Sequence, residues 1–270
     1  MAKQEMKKIS QRVMSNSICS KIVVLVLLAI FSFPQSLISA GSNVELIEQN
    51  WPFHGVFGRF DKASLQRGFK VYREVCAGCH GIRHIAYRDL EDIGFTKDEI
   101  KSIAAEYELL DGPNDEGEMF TRFAKLSDKF VGPYENVNAA RVANNGAYPP
   151  DLSLITKARV GGADYLYSLL NGYKEYPENF EASEGMYFNE YYPGNQIAMP
   201  APIEDDIVEY DDGTEASQSQ IARDVTSFLA WTAEPELETR KSLGVKTIFF
   251  LILISIMLLG VKRKIWKDLD

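Results

Sequence analysis

The sequence predicts a mainly α-helical body with long loops, followed by one C-terminal transmembrane helix. Three observations support this fold class: apolar residues recur at helical spacing in several segments, few segments alternate as strands do, and a 19-residue apolar run lies near the C-terminus. A chain of 270 residues, of which 46% are hydrophobic and 25% charged, can bury a full core in one domain.

The first helix is predicted at residues 57–75, preceded by a loop. Asp61 is placed to cap its N-terminus, because a carboxylate there can accept hydrogen bonds from the first free backbone N–H groups. Residues of helical spacing form its apolar face, and these are Leu65, Phe69, Tyr72 and Cys76.

Three further helices are predicted in the body, at residues 96–110, 163–171 and 217–231. The helix at 96–110 begins with a capping box of Thr96 and Glu99, and Gly172 follows the helix at 163–171. The segments between the helices are predicted as loops, and they cover residues 111–118, 141–154 and 173–192. The Asn-Asn-Gly sequence at 144–146 predicts a tight turn with positive φ.

The charge is unevenly distributed along the chain. Residues 41–244 contain 35 acidic and 19 basic side chains, whereas the two ends are basic. An acidic body argues against nucleic acid and favours basic protein partners. Basic ends beside apolar runs indicate insertion into, or passage through, a lipid bilayer.

The N-terminus has the layout of a secretory signal peptide, predicted at residues 1–40. A basic segment precedes a run of about a dozen apolar residues, and small residues lead to Ala40. The alternative is a permanent N-terminal anchor. Cleavage after Ala40 removes Cys19, so the mature chain would keep only Cys76 and Cys79.

The C-terminal apolar run, residues 243–261, is predicted to cross the membrane, since a helix of that length spans about 28 Å. A buried core helix is the alternative. Lys246 can extend to the interface, and the basic residues after the run make 262–270 a cytoplasmic tail by the positive-inside rule. Residues 41–242 are then a periplasmic domain of a single-pass protein in the inner (cytoplasmic) membrane.

The strongest chemical signal is the Cys-x-x-Cys-His sequence formed by Cys76, Cys79 and His80. Two thiols at this spacing can form thioether bonds to the vinyl groups of a porphyrin, and the adjacent imidazole can bind the iron, so one covalently bound haem c is predicted. A zinc site would need two further ligands, and a thioredoxin-like pair should open a helix, whereas this pair closes one. The other histidines, His54 and His84, are interpreted as structural or surface residues.

The second axial ligand of such an iron is not decided by these residues. Met119, Met186 and Met199 are the downstream candidates, because a thioether suits electron transfer. The prolines Pro200 and Pro202 would fix the loop that carries Met199 and favour it, but any of the three could instead fill a gap in the core.

Several motifs together resemble those of cytochrome c1, the haem subunit of the ubiquinol–cytochrome c reductase (bc1) complex. They are WPFHGVFG (51–58), LQRGFKVY (65–72), CAGCH (76–80) with YRDL (87–90), RVANNGAYPPDL (141–152), GGADY (161–165), NQIAM (195–199) and EYDDG (209–213). The resemblance runs from Trp51 to the C-terminus and implies a cytochrome c-type haem domain. Gly81 stands where the family often has serine, which affects no ligand.

The resemblance also implies residue roles and partners. Met199 is implied as the second iron ligand with His80, and Arg141 as the partner of a haem propionate. The loop containing Asn144, Tyr148 and Pro150 is implied to pack on the ring. Cytochrome b and the Rieske iron–sulfur protein are implied as neighbouring subunits, the Rieske protein as electron donor, and a basic cytochrome c as electron acceptor.

The chain is therefore predicted to relay electrons and not to catalyse a reaction alone. Six carboxylates within residues 204–212 could steer a basic partner, or form a solvated loop, and Glu175, Glu178, Glu181 and Glu184 form a second candidate patch. The alternatives are a membrane-tethered cytochrome c of another respiratory complex, a thiol–disulfide oxidoreductase using Cys76 and Cys79, and an anchored interaction module without redox activity.

Overall fold

The structure, a computed structural model, describes residues 44–178, 180–181 and 183–267. The predicted signal peptide and the last three residues of the predicted tail lie outside the described residues. The α-helices are α1 (Lys62–Val71), α2 (Lys97–Ala104), α3 (Val137–Ala143), α4 (Gly162–Asn171), α5 (Gln218–Ala233) and α6 (Leu237–Trp266). The strands are β1 (Glu108–Asp111), β2 (Phe120–Phe123), β3 (Tyr187–Phe188) and β4 (Gln196–Ile197), and a 3-10 helix covers Tyr87–Ile93.

Helix α1 carries the chain into the Cys-x-x-Cys-His sequence. It begins where predicted from the cap, because the Asp61 carboxylate accepts a hydrogen bond from the Ala63 N–H. The segment before Asp61 is not helical, since Asp61 has an extended backbone with ψ 111°. After Val71 the helix widens into a π-helical turn, Tyr72–Cys76. The predicted mainly α fold class is confirmed.

The centre of the core is the contact between α1 and α5. Gly68 lies at the crossing, where a Cβ atom would overlap the backbone carbonyl of Asp224, so only glycine permits this approach. Phe228 of α5 fills the space on both sides, with its ring centroid 5.5 Å from Phe69 and 5.8 Å from Tyr72. Helix α4 packs on another side of α5.

A buried ion pair links the same two helices. Arg67 donates from Nε to the carboxylate of Asp224 at 2.8 Å, and Asp224 is fully buried. The carboxylate also accepts hydrogen bonds from Ser64 at 2.6 Å and Gln220 at 2.9 Å. Mainly because of the hydrogen bond to Asp224, the pKa of Arg67 is raised, so its guanidinium stays charged.

The helix predicted at residues 96–110 is shorter than expected. Its capping box is confirmed, because the Glu99 N–H donates to Thr96 Oγ1 and the Thr96 N–H donates to the Glu99 carboxylate. It ends at Ala104, however, and Glu108–Asp111 pairs with Phe120–Phe123 as an antiparallel hairpin. Leu110, predicted on the apolar helix face, is 67% exposed, because side chains of a strand alternate between two faces.

The remaining helices agree closely with their predictions. Helix α4 ends at Asn171, immediately before Gly172, and Ser217 caps α5 by accepting from the Gln220 N–H. The predicted turn at 144–146 is confirmed by φ values of 50° at Asn145 and 88° at Gly146. The predicted loop at 141–154 nevertheless starts within helix α3.

Helix α6 contains the predicted span and is longer on both sides, with 30 residues. It is long and apolar enough to cross a membrane, and the apolar part is not buried against the body. Leu237 at its start is only 5% exposed and joins α6 to the body.

We expect Arg67→Ala to lower the free energy of unfolding by about 3–5 kcal/mol, because it leaves the buried Asp224 charge without its partner. The measurement is unfolding of the detergent-solubilised protein followed by circular dichroism. The matched control is Lys101→Ala, which removes an exposed partner of Asp98 and should change stability by less than about 0.5 kcal/mol. A similar small change for both variants would contradict the importance of the buried pair.

Candidate haem site

Residues distant in the sequence meet in one cavity of about 600 Å³. Six of the predicted site residues line it, namely Cys79, His80, Asn144, Tyr148, Pro150 and Met199. The volume lies within the range of roughly 300–1,000 Å³ that holds drug-sized ligands and cofactors. A larger cavity of about 710 Å³ beside α6 contains no thiol, imidazole or thioether.

Cys76 is the last residue of the π-helical turn, and Cys79 follows it. The backbone N–H groups of Cys79 and His80 both donate to the Cys76 carbonyl, at 3.1 and 2.9 Å, and this winds the motif into a tight turn. Cys79 is exposed at the cavity, whereas Cys76 packs against the core. Burial, followed by the nearby Cys79, raises the pKa of the Cys76 thiol to about 12.

The His80 ring has one nitrogen fixed and one free. Nδ1 lies 2.7 Å from the Pro150 carbonyl oxygen, which can only accept, so Nδ1 carries the hydrogen and Nε2 keeps its lone pair. Tyr72 donates to the His80 carbonyl at 3.0 Å and fixes the backbone. Burial lowers the pKa of His80, so the ring is neutral at neutral pH. A neutral, oriented imidazole is the form that binds a metal.

Met199 lines the cavity from a segment that lies between α4 and α5 in the chain. The preceding residues form β4, which pairs with β3, and the Met199 carbonyl accepts a hydrogen bond from Tyr173 at 3.1 Å. Pro200 lines the cavity next to it. The other two candidates, Met119 and Met186, do not line the cavity.

The loop after α3 forms one wall. The Asn144 amide donates to the Tyr134 hydroxyl at 3.0 Å and to the Ala140 carbonyl at 2.7 Å, which holds the loop against the helix end. Arg141 does not line the cavity: its guanidinium donates to the Gly146 carbonyl at 2.8 Å and lies 5.9 Å from the Tyr148 ring centroid.

The sequence reasoning missed a second group of lining residues. One face of α4 supplies Tyr165, Leu166 and Leu169, and the segment before it supplies Arg159. Helical periodicity could have identified this apolar face of α4, but it could not show that the face lines the cavity. Arg159 is a second cation near the cavity, and nothing in its sequence neighbourhood marks it.

The donor set fits a haem better than a bare metal ion or a reactive thiol pair. Among the described residues, no group of three or more His, Cys, Asp or Glu side chains could hold a metal ion. A raised pKa at Cys76 is opposite to that of catalytic thiols, which are thiolates near neutral pH. An apolar cavity with an oriented imidazole, a thiol and a thioether can accept a flat apolar ring and its iron.

Comparison with known proteins identifies the family. The model of the cytochrome C1 family matches residues 51–269. The chain belongs to the cytochrome c1 family. The resemblance read from the motifs, which begins at Trp51, is thereby confirmed.

Similar members of the cytochrome c1 family occur in plants, bacteria and fungi. "Cytochrome c1 1, heme protein, mitochondrial" of Arabidopsis thaliana is 50% identical over 239 residues, covering 88% of this chain and 78% of the relative. Cytochrome c1 of Rhodospirillum rubrum is 47% identical over 241 residues, covering 83% and 89%. A Candida albicans protein named "Cytochrome b-c1 complex catalytic subunit, mitochondrial" is 51% identical over 221 residues, covering 82% and 77%.

Proposed function

We propose that this member of the cytochrome c1 family binds one haem c covalently and transfers single electrons as a membrane-anchored subunit of a bc1 complex. The observation that carries the proposal is the meeting of Cys79, His80 and Met199 at one cavity, in a chain with a helix able to span a membrane. Relatives named as haem proteins and as a subunit of the cytochrome b-c1 complex support it.

The protein's own groups would hold and insulate the cofactor. Cys76 and Cys79 would form the thioether bonds, and His80 Nε2 and the Met199 sulfur would bind the iron. When bound, haem c supplies a one-electron couple at its iron. The Pro150 carbonyl keeps the His80 ring in the binding tautomer, and the Tyr173 hydroxyl restrains the Met199 backbone.

The walls of the cavity would exclude water from the ring. Asn144, Tyr148 and Pro150 would pack on one side, and the apolar face of α4 on the other. We assign Arg141 to a haem propionate, as the family resemblance implies. Because its guanidinium already contacts Gly146 and Tyr148, this role would require the propionate to lie at that rim of the cavity.

Electrons would enter from the Rieske iron–sulfur protein and leave to a basic cytochrome c, with cytochrome b as the neighbouring membrane subunit. The chain would therefore be an electron-transfer subunit of an enzyme complex, not an enzyme alone. The acceptor has to approach the cavity closely, so the acidic groups nearest to the cavity rim matter most for its encounter.

The acidic run at residues 204–212 is partly neutralised within the protein. Asp212 is 2.7 Å from Arg67 and Asp211 is 2.9 Å from Lys70. The Thr214 backbone N–H, followed by Arg67, lowers the pKa of Asp212 to about 2. Asp205 accepts a hydrogen bond from the Gln218 N–H at 2.7 Å. Three of the six carboxylates in this run are therefore already engaged by contacts within the protein.

The glutamates of the loop after α4 have a different environment. Glu175, Glu178, Glu181 and Glu184 are exposed, and none forms an ion pair with another described residue. The same loop continues into Gly185 and Tyr187, which line the cavity. We therefore favour these glutamates over the acidic run as the surface that steers a basic acceptor.

The topology and the domain limits follow from the charge pattern. Residues 41–242 would form the periplasmic haem domain, 243–261 the membrane span and 262–270 the cytoplasmic tail, after removal of 1–40. The cluster of Lys262, Arg263 and Lys264 at the end of α6 supports this orientation by the positive-inside rule.

Covalent attachment predicts a specific result for the purified native protein. After denaturation, Cys76 and Cys79 should resist alkylation, and the chromophore should remain with the chain during acid–acetone extraction, because thioether bonds survive both treatments. Mass spectrometry of the peptide containing both residues measures this. Free alkylation of both thiols would instead support the thiol–disulfide oxidoreductase alternative.

Replacing the second axial ligand should change the haem potential. We expect Met199→Leu to lower the midpoint potential by on the order of 100 mV or more, because axial ligands set haem potentials over a range of about 0.8 V. Redox titration of the visible spectrum measures this. Met186→Leu is the matched control and should leave the potential unchanged, and an unaltered potential in Met199→Leu would remove Met199 from the iron.

Neutralising the loop glutamates should slow electron transfer to a basic cytochrome c. We expect Glu175→Gln, Glu178→Gln and Glu181→Gln together to lower the second-order rate constant roughly tenfold at low ionic strength, with the difference shrinking as salt screens the charges. The matched variant is Glu204→Gln, Asp206→Asn and Glu209→Gln, which also removes three charges. A larger effect from this second variant would show that the acidic run, and not the loop glutamates, steers the acceptor.

A further inference from the structure

The loop at residues 51–60, which we call the tip loop, exposes two apolar side chains. Val56 is 65% exposed and Phe57 is 81% exposed. Single exposed apolar residues are common on protein surfaces and by themselves indicate nothing. Three further features of this loop indicate that the pair contacts a ligand: its rigidity, its attachment to α6 and its position along α6.

The tip loop is rigid. Trp51 stacks on Phe53 with ring centroids 5.4 Å apart, and both are buried. The Arg59 N–H donates to the Pro52 carbonyl at 2.9 Å and closes the base of the loop. The turn brings Gly58 against the backbone of residue 54, where a Cβ atom would overlap. Val56 and Phe57 are therefore held outward at a fixed position.

The tip loop is also fastened to the start of α6. The Lys241 ammonium donates to the carbonyl oxygens of Phe53 at 2.7 Å and Gly58 at 3.2 Å. One turn earlier on α6, the Glu238 carboxylate accepts a hydrogen bond from the Phe60 N–H at 2.9 Å. Since two side chains of α6 hold the loop, the height of the loop along the helix axis is fixed as well.

That height coincides with the start of the apolar run of α6 at Leu243. Val56 and Phe57 line the cavity of about 710 Å³ together with Leu243, Val245 and Lys246. Leu243 is the first residue of the apolar run, and both it and Phe57 are largely exposed. The apolar surface of the tip is thus continuous with the apolar surface of the spanning helix.

The charges around this cavity suit a phospholipid. Arg59, Lys241 and Lys246 line it against a single carboxylate, Glu238, which already accepts from Phe60. Arg59 and Lys246 are exposed and at the rim of an apolar surface. Cations above an apolar surface match the phosphate and the acyl chains of one lipid molecule.

We propose that the tip loop is a second membrane contact of this protein. Val56 and Phe57 insert at the interface beside α6, and Arg59 and Lys246 bind the phosphate of a phospholipid in the cavity between them. Two contacts restrict the tilt of the body over the bilayer, which a single helix does not. This inference requires α6 to span the membrane and is independent of the haem assignment.

The test places a photo-crosslinking p-benzoylphenylalanine at position 57 of the full-length protein in its assembled complex. The complex is reconstituted in bilayers of phosphatidylcholine with a minority of phosphatidylglycerol. The matched control carries the same group at Phe123 of β2, which is 59% exposed on the body. Irradiation should give a phospholipid adduct at position 57 in severalfold higher yield than at position 123.

Two results would overturn the proposal. One is that position 57 forms adducts only with another protein subunit, and the other is that it forms no more lipid adduct than position 123. The substitution should not prevent folding, because Phe57 is already a large aromatic side chain and is 81% exposed. The adduct is identified by its mass, so the result does not depend on haem or on activity.

A charge variant tests the headgroup contact separately. Arg59→Gln with Lys246→Gln should lower the phosphatidylglycerol share of the adduct at position 57 severalfold. The control, Arg88→Gln with Lys101→Gln, removes two exposed charges elsewhere on the body and should leave that share unchanged. An unchanged share in the first variant would overturn the role of Arg59 and Lys246.

Discussion

The crossing of α1 and α5 at Gly68 fixes the positions of the other parts of the molecule. The two helices touch backbone to backbone there, and the buried pair of Arg67 and Asp224 locks their relative register. The Cys-x-x-Cys-His turn is the direct continuation of α1, so its position follows from that crossing. A buried ion pair adds specificity only when its partners are fully hydrogen-bonded, and here Ser64 and Gln220 complete the carboxylate.

The candidate site is assembled from segments that share no local sequence. The hydrogen bond from His80 to the Pro150 carbonyl joins the motif to the loop after α3 and sets the tautomer that an axial ligand needs. Met199 follows the short two-stranded sheet of β3 and β4, and its carbonyl accepts a hydrogen bond from the Tyr173 hydroxyl. The cavity is thus enclosed by loops, a short sheet and one face of α4 together.

At the end of the protein that contains α6, a helix and a loop have different roles. Helix α6 supplies the length and the apolar surface, but its apolar part is not buried against the body, which α6 contacts near its start through Leu237, Glu238 and Lys241. The tip loop supplies the rigid connection through Lys241 and Glu238. The orientation of the body therefore depends on a few polar contacts at the level of the interface, not on the helix alone.

Features that depend on short stretches of sequence could be predicted before the structure. Asp61 and Thr96 identified helix starts because capping is local, the Cys-x-x-Cys-His spacing indicated haem attachment, and family motifs indicated Met199 as the partner of His80. The hairpin of β1 and β2 could be recognised only in the folded structure. Its stability comes from cross-strand hydrogen bonds, including the one from the Ala124 N–H to the Tyr107 carbonyl, and the helical spacing of apolar residues does not show such pairing. Tertiary contacts likewise decide that Asp211 and Asp212 form ion pairs, whereas Glu175, Glu178, Glu181 and Glu184 pair with no other described residue. They also decide that Arg159 lines the cavity whereas Arg141 does not. Such facts depend on neighbours far away in the chain, and no local pattern contains them.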